Sequence, residues 1–192
     1  MSKFAAFAAV SIMAIGVAAC GSSSSTTSTA SKTPEVNPAG DIPDNQAYVR
    51  YASPDGRYSI KVPEGWSQTA AGGAVIFTDK LNAVRIETVS ASAPLTARDA
   101  RQTELSKLAA SVKGFQQAKV NIVGRRAGTA VRIAYLATAK PNPVTGKTGQ
   151  DAVERYVFFH NGRDVTLTLS GPKGADNVDP WRIITDSVQW PR

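Results

Sequence analysis

The sequence predicts a single α+β domain in which helices cover both faces of one mostly antiparallel sheet. Short segments of alternating apolar and polar residues recur along the chain, as in half-buried strands. Two segments have helical spacing instead, and turn sequences of the hairpin type join several of the strands. The order of strands, helix, strands, helix argues against a doubly wound parallel sheet. At 192 residues and 42% hydrophobic composition, the chain suits one domain plus accessory segments.

The first half of the domain carries four predicted strands, which cover residues 48–51, 58–62, 74–78 and 84–88. A Ser53-Pro54-Asp55-Gly56 turn follows the first strand. The second strand has clean alternation over Tyr58-Ser59-Ile60-Lys61-Val62, and Pro63-Glu64-Gly65 ends it just before Trp66. Hairpins are therefore expected at the start of the domain.

A helix is predicted after these strands. Thr96 and Asp99 form a capping-box pattern, apolar residues at helical spacing continue through Val112, and Gly114 ends the segment. Strands return over residues 120–123, 130–137, 153–159 and 165–169. Asn161-Gly162 between the last two indicates a tight hairpin. The strand at 130–137 is apolar on both faces apart from Arg132, which predicts cover on both sides.

The last predicted helix has Asp179 as its N-cap and Pro180 as its first residue. Trp181, Ile184 and Val188 form its apolar stripe. Together with Trp66 and Trp190, Trp181 is predicted to anchor the core rather than to form a sugar-binding platform.

The first nineteen residues are predicted to be a secretory signal peptide. Lys3 provides the positive charge, residues 4–19 are uncharged and apolar, and Val17-Ala18-Ala19-Cys20 resembles a lipobox. A thiolate is the nucleophile that can accept a diacylglyceryl group, so Cys20 is the predicted lipidation site and the new N-terminus. An ordinary signal peptide with a chance cysteine is the alternative. Acylation would place the protein on the extracytoplasmic face of the cell membrane, with no thiol left for catalysis.

Residues 20–47 are predicted to form a disordered tether between this anchor and a globular domain at residues 48–192. Ten of the twelve residues in 22–33 carry a hydroxyl group, and Pro, Asn, Asp and Gly dominate the remainder. Such a segment buries little apolar surface. It serves as a spacer, to which O-glycosylation is a possible addition.

Two motifs resemble those of PsbP-like domains. The first runs from Tyr51 to Trp66 as Tyr-x-x-Pro-x-Gly-x-Tyr-Ser-Ile-x-Val-Pro-x-Gly-Trp. The second runs from Trp181 to Trp190 as Trp-Arg-Ile-Ile-x-x-Ser-Val-x-Trp. With its lipobox and tether, the whole chain is similar to the LpqN-type lipoproteins of actinobacteria. This resemblance implies an antiparallel sheet between helices, a binding or assembly role and a link to envelope lipid or glycolipid.

The residues that usually support catalysis are sparse. His160 is the only histidine and flanks the predicted turn, and neither a Gly-x-Ser-x-Gly elbow nor a Cys/His metal pattern exists in the sequence. Gly146-Lys147-Thr148 lacks the glycine of a phosphate-binding loop, since position 141 is proline. We therefore expect no enzyme activity, no cofactor, no metal and no nucleotide.

The basic excess is the remaining signal for a ligand. From Tyr48 onward there are 20 Lys or Arg against 12 Asp or Glu, and only Arg125-Arg126 are adjacent. Arg85, Arg132 and Arg155 lie within predicted strands, with Arg85 expected beside Glu87 and Arg155 beside Glu154. They form either a solvated sheet face or a site for an anionic headgroup or acidic polymer. Nucleic acid is not expected outside the cell.

The function predicted from these observations is that of a non-catalytic, lipid-anchored binding or assembly protein of the cell envelope. Its partners would be the membrane, through Cys20, and an envelope protein or an anionic lipid or glycolipid. A carrier of envelope lipid or glycolipid is the main alternative. A hydrolase with an unrecognised site is a further one.

Overall fold

The computed structural model describes residues 39–141 and 146–191. The signal peptide, Cys20 and the Ser/Thr-rich run lie outside the described residues. The described residues form nine strands: β1 (Tyr48–Ala52), β2 (Ser59–Pro63), β3 (Ser67–Ala71), β4 (Ala74–Asp79), β5 (Asn82–Ser90), β6 (Gln116–Arg125), β7 (Gly128–Thr138), β8 (Gln150–His160) and β9 (Arg163–Pro172). The helices are α1 (Ala97–Asp99), a π-helical segment (Ala100–Glu104), α2 (Leu105–Ser111) and α3 (Val178–Asp186). None of the helices in this part of the chain is long and apolar enough to cross a bilayer.

The main sheet has seven strands in the order β3-β4-β5-β9-β8-β7-β6, and every neighbouring pair is antiparallel. β1 and β2 form a separate antiparallel pair. The Asn161-Gly162 turn joins β8 to β9, and both residues have positive φ, at 47° and 73°. Positive φ at both central positions is the type I′ geometry, whose twist matches that of the flanking strands. The predicted antiparallel α+β architecture is confirmed.

Apolar cores lie on both faces of the sheet. One core packs α3 and the β1–β2 pair against the central strands, and Trp181 there is only 7% exposed. The other core packs α1, the π-helical segment and α2 against β6, β7 and β8. Successive residues of β7 alternate between them: Ala130 belongs to the first core, Val131 and Ile133 to the second. This confirms the prediction that helices cover both sides of that strand.

The first helical region begins as predicted. The Thr96 hydroxyl accepts a hydrogen bond from the backbone N–H of Asp99 at 3.1 Å, and it donates one to the Asp99 carboxylate at 2.6 Å. The π-helical turn that follows was not predicted, because apolar spacing does not distinguish it from α-helix. Ala100, within that turn, is completely buried against the sheet.

The last helix begins earlier than predicted. Its N-cap is Asn177, not Asp179, so Pro180 lies inside the first turn, where its missing N–H has no intrahelical acceptor. Asn177 does not cap the helix with its side chain. Its amide instead bonds the chain that enters the domain, so the side chain expected at a cap is used elsewhere.

That incoming chain corrects the predicted tether boundary. Residues 39–46, here called the strap, pack on the domain although their composition predicts disorder. Ile42 is 3% exposed, and its N–H donates to the Asn177 side chain at 2.8 Å. The Gly40 carbonyl accepts hydrogen bonds from Asn82 at 2.9 Å and from Asn177 at 3.0 Å. One buried isoleucine and a pair of buried asparagines thus extend the ordered domain to before Tyr48.

Candidate functional site: a basic groove beside the last helix

The three strand arginines predicted as ligand-binding residues do not form one site. Arg132 lies between Val131 and Ile133, so it projects from the face opposite to their core, which is the α3 face. Arg155 is adjacent to Tyr156, whose ring belongs to the α3-side core, and therefore projects from the other face. Arg85 alternates with Val84 and Ile86 in the same way. The sheet therefore separates Arg132 from Arg85 and Arg155.

Each of these arginines already has a carboxylate. Glu87 accepts from Arg85 at 2.8 Å and from Arg155 at 3.4 Å. The hydrogen bond from Arg85, reinforced by both guanidinium charges, lowers the pKa of Glu87. The expected pairing of Arg155 with Glu154 is wrong, because neighbouring strand residues face opposite sides. Glu154 instead pairs across the strands with Arg132.

The Arg132–Glu154 pair continues into a network below α3. The Tyr156 hydroxyl donates to Glu154 at 2.6 Å and accepts from Arg125 at 3.1 Å. Arg125 also donates to the buried Thr185 hydroxyl of α3 at 2.9 Å. Burial, together with the bond to Glu154, raises the pKa of Tyr156 to about 12. This network fastens α3 to the sheet and offers few free polar groups to a ligand.

A different set of cations lines an open groove of about 1010 Å³ along the outer side of α3. Its walls are the β1–β2 pair, the β6–β7 turn, α3 and the segment that follows α3. The lining residues are Arg50, Lys61, Arg126, Ala127, Asp179, Arg182, Ile183, Asp186, Ser187, Val188, Gln189 and Trp190. We call this feature the basic groove.

Backbone pairing holds the walls of the basic groove together. Ser59 of β2 and Gln189 exchange backbone hydrogen bonds, each at 2.9 Å. The Lys61 N–H donates to the Ser187 hydroxyl at 2.7 Å, and Arg50 donates to the Ser59 hydroxyl at 2.9 Å. The segment after α3 is therefore joined to β2 by a single antiparallel bridge. That pairing fixes the width of the basic groove on this side.

The basic groove contains more positive than negative side chains. Among the described residues, no carboxylate lies within ion-pair distance of Arg50, Lys61 or Arg126. Arg182 contacts Asp186 at 3.8 Å, and Asp179 is the other acidic lining residue. Four cations thus face two carboxylates, above apolar groups that include the 44% exposed Ile183. An anionic ligand would find both charge and apolar contact there.

Sequence reasoning missed this site because its cations come from three distant segments. Arg50 and Lys61 lie on the first hairpin, Arg126 lies in the β6–β7 turn, and Arg182 lies on α3. The adjacent Arg125-Arg126 pair was the only local signal. Even there the two residues separate, with Arg125 in the network below α3 and Arg126 in the groove.

Trp190 closes one end of the basic groove. Its indole N–H donates to the Ala127 carbonyl at 2.8 Å. Its ring stacks on His160 with 4.5 Å between centroids and an interplanar angle of 1°. His160 is the last residue of β8, the strand-end position predicted for it. No group of three His, Cys, Asp or Glu side chains suited to a metal ion occurs in the described part of the chain.

No family model matches this sequence, and no curated protein matches it. Solved structures with a similar fold do exist. The solution structure of cyanobacterial PsbP (CyanoP) from Synechocystis sp. PCC 6803 aligns at a TM-score of 0.56 and 15% identity, over 81% of this chain and 99% of that one. A crystal structure from Bacteroides thetaiotaomicron aligns at a TM-score of 0.50 and 14% identity, over 74% of this chain, which spans about half (48%) of that one.

LpqN, described as involved in cell envelope biogenesis of Mycobacterium tuberculosis, aligns at a TM-score of 0.42 and 14% identity, over 77% of this chain and 93% of LpqN. That likeness is too weak to assign the chain to the LpqN type. The CyanoP alignment covers almost all of that chain, and its TM-score is that of a shared fold. The chain has a PsbP-like α+β fold.

Proposed function

We propose that this protein is a non-catalytic binding or assembly protein of the LpqN type, anchored by lipid on the extracytoplasmic face of a bacterial cell membrane. The basic groove is its ligand site. The observation that carries this proposal is the convergence of Arg50, Lys61 and Arg126, three cations with no carboxylate partner among the described residues, on one open groove. Guanidinium and ammonium groups bind carboxylate and phosphate strongly where no internal carboxylate competes.

The anchor is supported by the sequence around Cys20. The Val17-Ala18-Ala19-Cys20 run ends an apolar leader, and Cys20 is the only cysteine of the chain. A Cys20→Ala variant is expected to be released to the medium or to remain unprocessed, and membrane fractionation measures this. Unchanged fractionation with the membrane would contradict lipidation at Cys20.

A binding role fits the described residues better than hydrolysis. Glu87 and Glu154, two of the carboxylates on the central strands, are held by arginines and are poorly suited to act as a general base. His160 is stacked on Trp190, with no carboxylate among the described residues bonded to its ring. In this proposal the anionic ligand is bound and not converted.

The basic groove is tested with two anionic probes on the full chain in non-ionic detergent micelles. The probes are polyglutamate and phosphatidylglycerol added to the micelles. At least one is expected to bind, with an affinity that falls as salt rises. Replacing Lys61 and Arg126 together by Ser is expected to weaken that binding by about tenfold or more, because two charge-assisted contacts are lost.

The matched control replaces Arg98 and Lys107 by Ser, which removes the same charge from α1 and α2 on the opposite face of the sheet. This variant is expected to bind both probes like the unaltered chain. Equal binding by the Lys61/Arg126 variant and the unaltered chain, or no binding of either probe, would overturn the basic groove as the ligand site.

A further inference from the structure

A second, smaller cavity lies beyond Trp190. This slot measures about 120 Å³ and is lined chiefly by Arg57, Thr88, His160, Arg163, Val165 and Trp190. Thr88 and Val165 are paired residues on β5 and β9, so the base of the slot is formed by the ends of two central strands. The slot is therefore built on the rigid part of the sheet.

Trp190 belongs to the wall of both cavities. Its indole N–H is bonded to the Ala127 carbonyl, and its ring is stacked on His160, so the side chain is fixed between them. The basic groove and the slot therefore lie on either side of the same indole ring. The two cavities can thus act as adjacent parts of one binding site.

The size of the slot limits what it can hold. Pockets for small molecules and cofactors usually measure about 300–1000 Å³. The slot, at about 120 Å³, holds a single apolar side chain of the size of valine or leucine. A fatty acyl chain is several times too long for it, and the basic groove is open to water along its length. Lipid carriage therefore has no enclosed apolar space in either cavity.

Cations continue around the slot. Arg163 has no carboxylate within ion-pair distance in the described part of the chain. Arg57 contacts Asp55 at 3.1 Å, with both side chains about half exposed, so this pair is readily exchanged for another carboxylate. Cations therefore lie on both sides of Trp190, with Arg50 and Lys61 in the basic groove and Arg163 at the slot. An apolar anchor pocket surrounded by cations is suited to an acidic peptide with one apolar residue.

We propose that the basic groove and the slot together bind an acidic segment of a partner protein, which inserts one apolar side chain beside Trp190. This inference rests on the proposed function, because it names the ligand class of the same groove. The carboxylates of the segment would contact Arg50, Lys61 and Arg126, and its apolar residue would contact Thr88, Val165 and Trp190.

Three fluorescent peptides of twelve residues test this inference on the full chain in non-ionic detergent micelles. They share one Asp/Glu/Ser/Gly sequence and differ only at the central residue, which is Ser, Leu or Trp. By fluorescence anisotropy, the Leu peptide is expected to bind about tenfold or more tightly than the Ser peptide, because one buried leucine contributes that much. The Trp peptide is expected to lose this gain, because indole exceeds the slot.

A variant that fills the slot provides the matching measurement on the protein. Thr88→Leu is expected to abolish the preference for the Leu peptide over the Ser peptide, because the added side chain occupies the slot. Thr69→Leu, on the exposed strand β3, is the control and is expected to keep the preference. If Thr88→Leu does not fold, as judged by its thermal midpoint, the three peptides on the unaltered chain still decide.

The outcomes separate the inference from the proposed function. Equal affinities for the Leu and Ser peptides would overturn the inference. Binding of phosphatidylglycerol in the micelles without binding of any peptide would also overturn it, and would leave the basic groove as a headgroup site. Failure of peptides and phosphatidylglycerol alike would overturn the inference, and together with the failure of polyglutamate it would overturn the proposed function.

Discussion

The strand arginines and the cations of the basic groove differ in their partners. Arg132 and Arg155 have side chains 28% and 22% exposed, and each contacts a carboxylate on the same face of the sheet. Arg50, Lys61 and Arg126 are exposed and have no such partner among the described residues. A half-buried guanidinium requires a counter-charge, whereas an exposed cation is stabilised by water until a ligand replaces that water. Exposure and the absence of a carboxylate partner, rather than location on a strand, therefore distinguish the cations that we propose to bind the ligand.

The largest effect on stability is expected at Glu154. Glu154→Ala leaves Arg132 half-buried without its carboxylate and removes the acceptor of the Tyr156 hydroxyl. We expect a loss of about 2–3 kcal/mol in the free energy of unfolding, somewhat below the cost for a fully buried pair. Chemical denaturation measures this. Lys61→Ala is the matched control, expected to change stability by less than about 0.5 kcal/mol. Similar losses in the two variants would show that the paired arginine and the exposed lysine do not differ in their need for a counter-charge.

Removal of the strap is expected to have a smaller effect. A chain that begins at Gln46 loses the buried Ile42 and the hydrogen bonds of Gly40 and Ile42, compared with one that begins at Val36. We expect a loss of about 2 kcal/mol, seen as a thermal midpoint lower by several degrees. Binding of the anionic probes should persist, because the basic groove contains no strap residue. Equal midpoints would show that the domain begins at Tyr48 after all.

The smallest expected effect is a dependence of stability on pH that arises from Glu87, which is paired with strand arginines and not with the groove cations. The pKa of Glu87 is lowered in the folded protein, mainly by the hydrogen bond from Arg85. Its contribution to stability is therefore present above the ordinary glutamate pKa, near 4.3, and is lost as the pH falls through the lower folded value. Glu87→Gln should flatten the fall in thermal midpoint below about pH 4.3. Glu64→Gln, at an exposed position, should leave that acid limb unchanged.

Much of the fold was predictable because local patterns and long-range pairing agree. Alternation identified the central strands, and Asn161-Gly162 identified the β8–β9 hairpin with its positive φ angles. Trp181 and Ile184 marked the buried stripe of α3. In each case the secondary structure that the local sequence favours is the one that packs correctly in the fold.

The features that sequence reasoning missed depend on distant contacts. β3 has five exposed residues and no apolar alternation, so only its pairing with β4 defines it. The strap is polar in composition, and its order comes from Asn82 and Asn177, which are 42 and 137 residues beyond Gly40. Predicting the pairing of Glu154 with Arg132 would have required the β7–β8 register. Predicting the basic groove would have required knowing that three distant segments meet in the fold.

The hydrogen bonds that Asn82 and Asn177 form with the strap have a mechanical consequence. Any tension that reaches the domain from the residues before Ala39 enters the fold at Gly40 and Ile42. There it is shared between Asn82 at the start of β5 and Asn177 at the start of α3. Since α3 is also one wall of the basic groove, the strap and the proposed ligand site are attached to the same helix. A pull on the proposed lipid anchor would be transmitted to the helix that forms this wall of the groove.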